Sequence, residues 1–155
     1  VSALSKPQPV APDASALELT RQCMKDDHFA AQAGVELLLI EPGHAKAKMP
    51  VQQQHLNGLG TVQGGAIFTL ADLTFAAAVN AYGIASVAIN VNITFMKAVS
   101  TGTLWAEAKE QSRNFKLGTY AVDIRDDKGD LVAQFQGLGY LKKEKLSDFY
   151  AAKRK

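Results

Sequence analysis

Residues 66–78 read AIFTLADLTFAAA. Asp72 is the only charge in that run, and Thr69 and Thr74 are the only other polar residues. Gly64-Gly65 precede it, and Gly83 ends it after Tyr82. A helix with no polar stripe is buried all round. A single flat sheet touches only one side of a helix, so either the sheet curls around this one or a second subunit covers the rest. A carboxylate inside such a helix is costly to bury unless it is paired or hydrogen-bonded. Asp72 is therefore the leading candidate for chemistry.

The flanking segments supply the sheet. Before the run, Val35, Leu37 and Leu39 alternate with Glu36 and Leu38, Glu41-Pro42-Gly43-His44 forms a turn, and residues 44–51 alternate again as a return strand. Residues 50–62 are a loop rich in Gln, Asn and Gly. After the run come four strand candidates, 85–97, 103–112, 118–125 and 131–141, with an Asp126-Asp127-Lys128-Gly129 hairpin turn before the last. Residues 14–33 read as one helix, capped by Asp13 or Ser15 and stopped by Gly34, with Leu17, Met24, Ala31 and, less regularly, Phe29 as its apolar positions. Residues 1–13 carry three of the five prolines and read as a loose arm. Residues 143–155 read as a polar tail, a frayed helix or disordered. The order, one helix and two strands, then an apolar helix and four strands, is an α+β arrangement in a single domain over 14–142.

Composition removes several alternatives. The 155 residues are 47% apolar and 21% charged, as in an ordinary globular protein, and the net charge of +2 is too small to argue for nucleic acid. The apolar run falls short of the roughly 20 residues that cross a bilayer, so no membrane partner is expected. One cysteine, Cys23, excludes an internal disulfide, and with no signal peptide visible a cytoplasmic location is the expectation. His28 and His44 read as surface residues. No second His stands at a metal-ligand spacing from His55, so no metal is expected.

The segment 55–72, HLNGLGTVQGGAIFTLAD, resembles the hot-dog-fold thioesterases of the phenylacetic-acid-pathway type, the PaaI-like acyl-CoA thioesterases. Their pattern is an Asn in a loop, then His-Gly-Gly, then a helix with an acid eight residues after the first Gly. The stretch NVNITFMKAVSTGTLWAEA, residues 90–108, is similar to the family's N-x-x-F-x-x-P segment, Gly turn and alternating strand. The resemblance covers roughly residues 35–142. It implies a sheet wrapped around the helix, a homodimer or a dimer of dimers with sites at its interface, and hydrolysis of an acyl-CoA thioester. Residue by residue, Asn57, Gly64 and Asp72 match. The resemblance gives Gly64 the task of polarising the thioester carbonyl, Asp72 that of base or nucleophile, and Asn57 that of holding the water or the acid. Gln63 stands where the family has His, and Ala88 where some relatives have Ser or Thr. Gln hydrogen-bonds but does not titrate.

Physical reasoning reaches the same residues. Free amides and the positive dipole end at Gly64-Gly65 would stabilise oxygen charge in a tetrahedral intermediate, although glycine there also suits a tight turn into a helix. Gly65 and Asp72 are close to two turns apart, on one face but about 10 Å apart along the axis. A carbonyl held at Gly64 is then out of reach of Asp72 on the same helix, and an antiparallel partner helix would supply its own. Phe68, Thr69, Phe75 and Ala76, at i±3 and i±4 from Asp72, are expected to line the acyl site with Gly65 and His55. His55 also reads as a solvated loop residue. Lys97, Arg113 and Lys116 are the candidate cations for the phosphates of coenzyme A, which enters as part of the substrate, so no cofactor is expected. Two other readings on the same fold are a non-catalytic acyl-CoA binding module, motivated by Gln63 and Ala88, and a dehydratase or hydratase, disfavoured because the Gly-Gly turn lacks a His.

Overall fold

The computed structural model describes residues 14–153, so the predicted arm 1–13 and the Asp13 cap lie outside the described residues. Two short helices, α1 (Ala14–Lys25) and α2 (His28–Gln32), lead into a hairpin of β1 (Glu36–Glu41) and β2 (His44–Pro50). A 3-10 turn at Gln53–His55 follows, then the long helix α3 (Gly64–Asn80). Strands β3 (Ile84–Phe95), β4 (Thr103–Arg113), β5 (Leu117–Arg125) and β6 (Leu131–Lys145) and helix α4 (Leu146–Lys153) complete the chain. The six strands form one sheet in the order β1-β2-β4-β5-β6-β3, every neighbouring pair antiparallel.

The sheet wraps around α3, the hot-dog arrangement that the resemblance implies. Alternation puts Ala45, Ala47, Met49, Leu104, Ala106 and Ala108 on its inner face, all buried. The alanines keep that face low, so the helix lies close. Phe75 is accommodated the same way on β6, where a Cβ at Gly137 would come within 2.8 Å of its ring. Phe75 also meets Tyr120 edge-on at 5.4 Å and Phe135 at 5.9 Å, which closes the core beneath α3.

Two expectations about the termini are corrected. The predicted helix 14–33 is two helices, because the Asp27 side chain accepts the Ala30 N–H (2.9 Å) and caps a new start. Gly34 does stop the second, at φ +75°. The predicted tail is helical over 146–153 and strand before that: β6 stays paired with β3 as far as Ile84–Lys145, and α4 follows at once, while residues 154–155 lie outside the described residues. Leu146 is buried, its N–H donates to Gly83 O (3.0 Å), and the Tyr150 hydroxyl donates to Asp26 on α1 (3.1 Å). The two buried anchors, Leu141 and Leu146, are spread too thinly among lysines for the pattern to show in sequence.

The sheet does not enclose α3 completely. Gly65 is exposed and Thr69, Asp72 and Ala76 are partly exposed, forming a stripe, while the helix is otherwise buried from Leu70 onward. Beside that stripe runs β3, an edge strand with Val87, Ile89 and Phe95 exposed and Met96 exposed just beyond it. Among the described residues no helix is long and apolar enough to cross a membrane.

Candidate active site

A helix start leaves four N–H groups without intrahelical acceptors. In α3 these are on Gln63, Gly64, Gly65 and Ala66, and three are taken. The Gln63 N–H donates to His55 O (2.7 Å), and the Ala66 N–H to Gln63 O (2.9 Å). The Gly65 N–H donates to Oε1 of the Gln63 side chain, which makes Gln63 the N-cap. The Gly64 N–H is the one left over. The ring of Phe95 lies over Gly64 so closely that a Cβ there would sit 2.9 Å from its Cζ. Phe95 is thus a site neighbour that sequence reasoning missed, although it is the Phe of the N-x-x-F stretch.

Asp72 is two turns along the exposed stripe. No hydrogen bond or ion pair reaches its carboxylate among the described residues, and burial pushes the carboxyl above the usual range, with the nearby Asp27 charge adding to the rise. Thr69, one turn earlier, turns its hydroxyl back to Gly65 O (2.8 Å).

The loop before α3 is held by its own side chains. Asn57 Oδ1 accepts the N–H groups of Leu59 (2.9 Å) and Thr61 (3.2 Å), and its Nδ2 donates to Thr61 Oγ1 (3.1 Å). Asn57 therefore shapes the loop that delivers Gln63 and Gly64. The reading of His55 as a solvated residue is corrected: it is 4% exposed and both ring nitrogens are engaged. Nδ1 accepts the Gln52 N–H (3.0 Å), and Nε2–H donates to Ala33 O at the end of α2 (2.8 Å).

A cleft of about 600 Å³ opens beside the helix start. α2 contributes Phe29, Gln32 and Ala33, the loop Gln54, His55 and Leu56, and α3 Gln63, Gly65, Ala66 and Thr69. Gly65, Thr69 and His55 thus line one cleft. The α2 wall was not foreseen, though the irregular position of Phe29, 74% exposed, was its trace in the sequence.

The profile of the thioesterase superfamily matches residues 59–133. A putative esterase of Archaeoglobus fulgidus is 39% identical over 117 residues, 75% of this chain and 76% of that protein. The acyl-coenzyme A thioesterase PaaI of Escherichia coli is 34% identical over 114 residues, 73% of this chain and 81% of its own. The chain belongs to the thioesterase superfamily. The solved structure of Escherichia coli PaaI superposes with a TM-score of 0.80 at 30% identity, covering 84% of this chain and 95% of that one. A hypothetical thioesterase of Streptococcus pneumoniae, solved with coenzyme A, gives a TM-score of 0.72 at 25% identity, over 79% and 98%.

In this thioesterase the remaining expected residues separate. Phe75 is corrected from site to core: at 1% exposure it faces the sheet, because position i+3 from Asp72 turns toward the sheet while i−3 and i+4 turn toward the opening. Phe68 is half-buried, edge-on to Phe135 at 5.5 Å. Lys97 is corrected as a phosphate contact, since Asp126 and Asp130 both hold its ammonium at 2.6 Å. Arg113 stacks on Tyr82 at 3.7 Å with Nη1 buried and unbonded, and Lys116 is exposed beside Phe115. Arg113 ends β4 and Lys116 follows it, at the far end of the sheet from Lys97, which sits beside Val132 and the Asp126–Asp130 hairpin. The three cations therefore do not converge within one chain. Among the described residues, no three His, Cys, Asp or Glu side chains stand together as metal ligands.

Proposed function

We propose that this chain is an acyl-CoA thioesterase, hydrolysing an acyl-CoA to the free acid and coenzyme A as a homodimer, with no cofactor beyond the substrate. The observation that carries the reading is the pairing of an unpartnered carboxylate, Asp72, with a free amide, Gly64, on the open side of one helix. The named activity of the Escherichia coli relative supports the substrate class, and the single Cys23 supports a reducing, cytoplasmic setting.

The two groups are eight residues apart on a continuous helix, about 12 Å along its axis. One thioester does not span them within a chain. A second copy laid antiparallel across the exposed stripe and the β3 edge would bring its Asp72 to this Gly64 and cover Val87, Ile89 and Met96. The thioester oxygen then takes the Gly64 N–H. Gln63, which lines the cleft, adds a second donor: with Oε1 committed to Gly65, its Nε2 is the free end. Asp72 from the other copy removes a proton from water as it attacks the carbonyl carbon. Collapse of the intermediate breaks the C–S bond, and the thiolate regains that proton. Arg113 and Lys116 remain as contacts for the phosphates, and Asn57 acts through the loop.

In the alternative route the same carboxylate is the nucleophile, forming an anhydride that water opens. A single turnover in oxygen-18 water separates the routes, because only the anhydride route leaves label in Asp72. The function itself is tested by hydrolysis of a panel of short-, medium-, long-chain and aryl-acetyl-CoA esters. Tight binding of acyl-CoA without turnover of any ester would leave a binding module and sink the catalytic reading.

A further inference from the structure

His55 is a buried titratable group that the proposed chemistry does not use, and three segments meet at it. Its Nδ1 accepts the Gln52 N–H, which closes the 3-10 turn. Its Nε2–H donates to Ala33 O, the last carbonyl of α2. Its own carbonyl accepts the N–H of Gln63, the cap of α3. These bonds define the tautomer, neutral with the proton on Nε2. They also tie together the three segments that line the cleft, because α2 supplies Phe29, Gln32 and Ala33 and α3 supplies Gly65, Ala66 and Thr69. Among the described residues, the one other hydrogen bond between the loop and α2 is the exposed bond from Gln54 Nε2 to Gln32 O (3.2 Å).

We propose that His55 is a specificity-determining positioning residue: it sets the spacing of α2 from the start of α3, and so the size of acyl group the cleft accepts. The inference rests on the acyl-CoA reading of the site. Imidazole suits the task because it is rigid and carries its acceptor and its donor on different edges of one ring. Amide side chains reproduce one bond each. In Asn the oxygen takes the place of Nδ1 and keeps the bond to Gln52, but nothing reaches Ala33. In Gln the nitrogen stands as far out as Nε2 and restores the bond to Ala33.

The test compares the full chain with His55→Asn and His55→Gln, using non-hydrolysable S-alkyl-CoA thioethers of short and long chain, so that the readout does not require turnover. His55→Gln is expected to keep the wild-type ratio of affinities. His55→Asn, with α2 released, is expected to move that ratio toward the longer chain by about tenfold, the low end of what a single methylene is worth in an apolar pocket. Thermal melts run alongside. An unchanged ratio in His55→Asn, or a uniform loss of affinity that only follows a lowered melting temperature, would overturn the proposal. Nitrogen-15 shifts of the His55 ring are a second arm: a ring protonated on Nδ1 overturns it even if neither variant folds. Normal thioether binding and selectivity without hydrolysis of any ester would defeat the catalytic reading and leave this one standing.

Discussion

Two acids mark the two halves of α3 and have opposite surroundings. Glu110, near the C-terminal end, accepts from the Tyr82 hydroxyl (3.2 Å) and from the Tyr120 hydroxyl. Arg113 stacks on Tyr82 beside it. Burial and the Glu110 carboxylate push both phenols up, Tyr120 strongly. Asp72, midway along the helix, has burial but no partner. A half-buried acid with no hydrogen-bond partner among the described residues stands out. The contrast teaches that Glu110 is bonded into the fold, whereas Asp72 has no partner among the described residues of its own chain.

The sharpest way to break that contrast is Asp72→Asn. It keeps the shape and removes the base, so kcat should fall by roughly 10³-fold while the melting temperature holds or rises, since a desolvated charge is gone. Steady-state hydrolysis and a thermal melt read both, and wild-type turnover in this variant would end the assignment. Gln63→Glu comes next. Glutamate still accepts the Gly65 N–H and suits a helix start, but it no longer donates to a developing oxyanion. We expect kcat to drop by about 10²-fold with the melt unchanged; a parallel loss of stability would reduce Gln63 to a cap. Glu110→Ala should do the reverse. It leaves the buried Tyr120 hydroxyl without its acceptor, costing about 1–3 kcal/mol in a denaturant titration, with kcat per folded molecule retained.

The smallest effect is in pH dependence. Because Asp72 has a raised pKa in the folded protein, between the ordinary carboxylate range and that raised value the folded state binds more protons than the unfolded one. Its contribution to stability therefore declines as pH rises through that window. Activity should climb over the same window as the carboxylate ionises. Denaturant midpoints across it should slope down in the wild type and lose that component in Asp72→Asn. An identical slope in both proteins would mean that Asp72 is not the group being titrated.

The strands and α3 were legible because alternation and an unbroken apolar run are periodic signals. Asp72 was legible as an interruption of one of them. Phe75 was misplaced because spacing from Asp72 places a residue near the same side of the helix without saying which flank the sheet covers. His55 was misread because a His beside Asn-Gly looks like any loop residue, and its acceptor, Ala33, is 22 positions away in the chain. Lys97 looked available because its carboxylate partners arrive from a hairpin some 30 residues later.

The sequence by itself determined the α+β class, the helix that the sheet must enclose and the acid and glycine pair on that helix, because these depend on local periodicity and on spacing within one element. Only the tertiary structure decided which polar groups are satisfied. Gln63 became a cap, His55 a tie between α2 and α3, and Lys97 part of an ion pair, each through contacts between segments that local pattern does not encode. The same packing left one stripe of α3 uncovered, and Asp72 there has no partner among the described residues of its own chain.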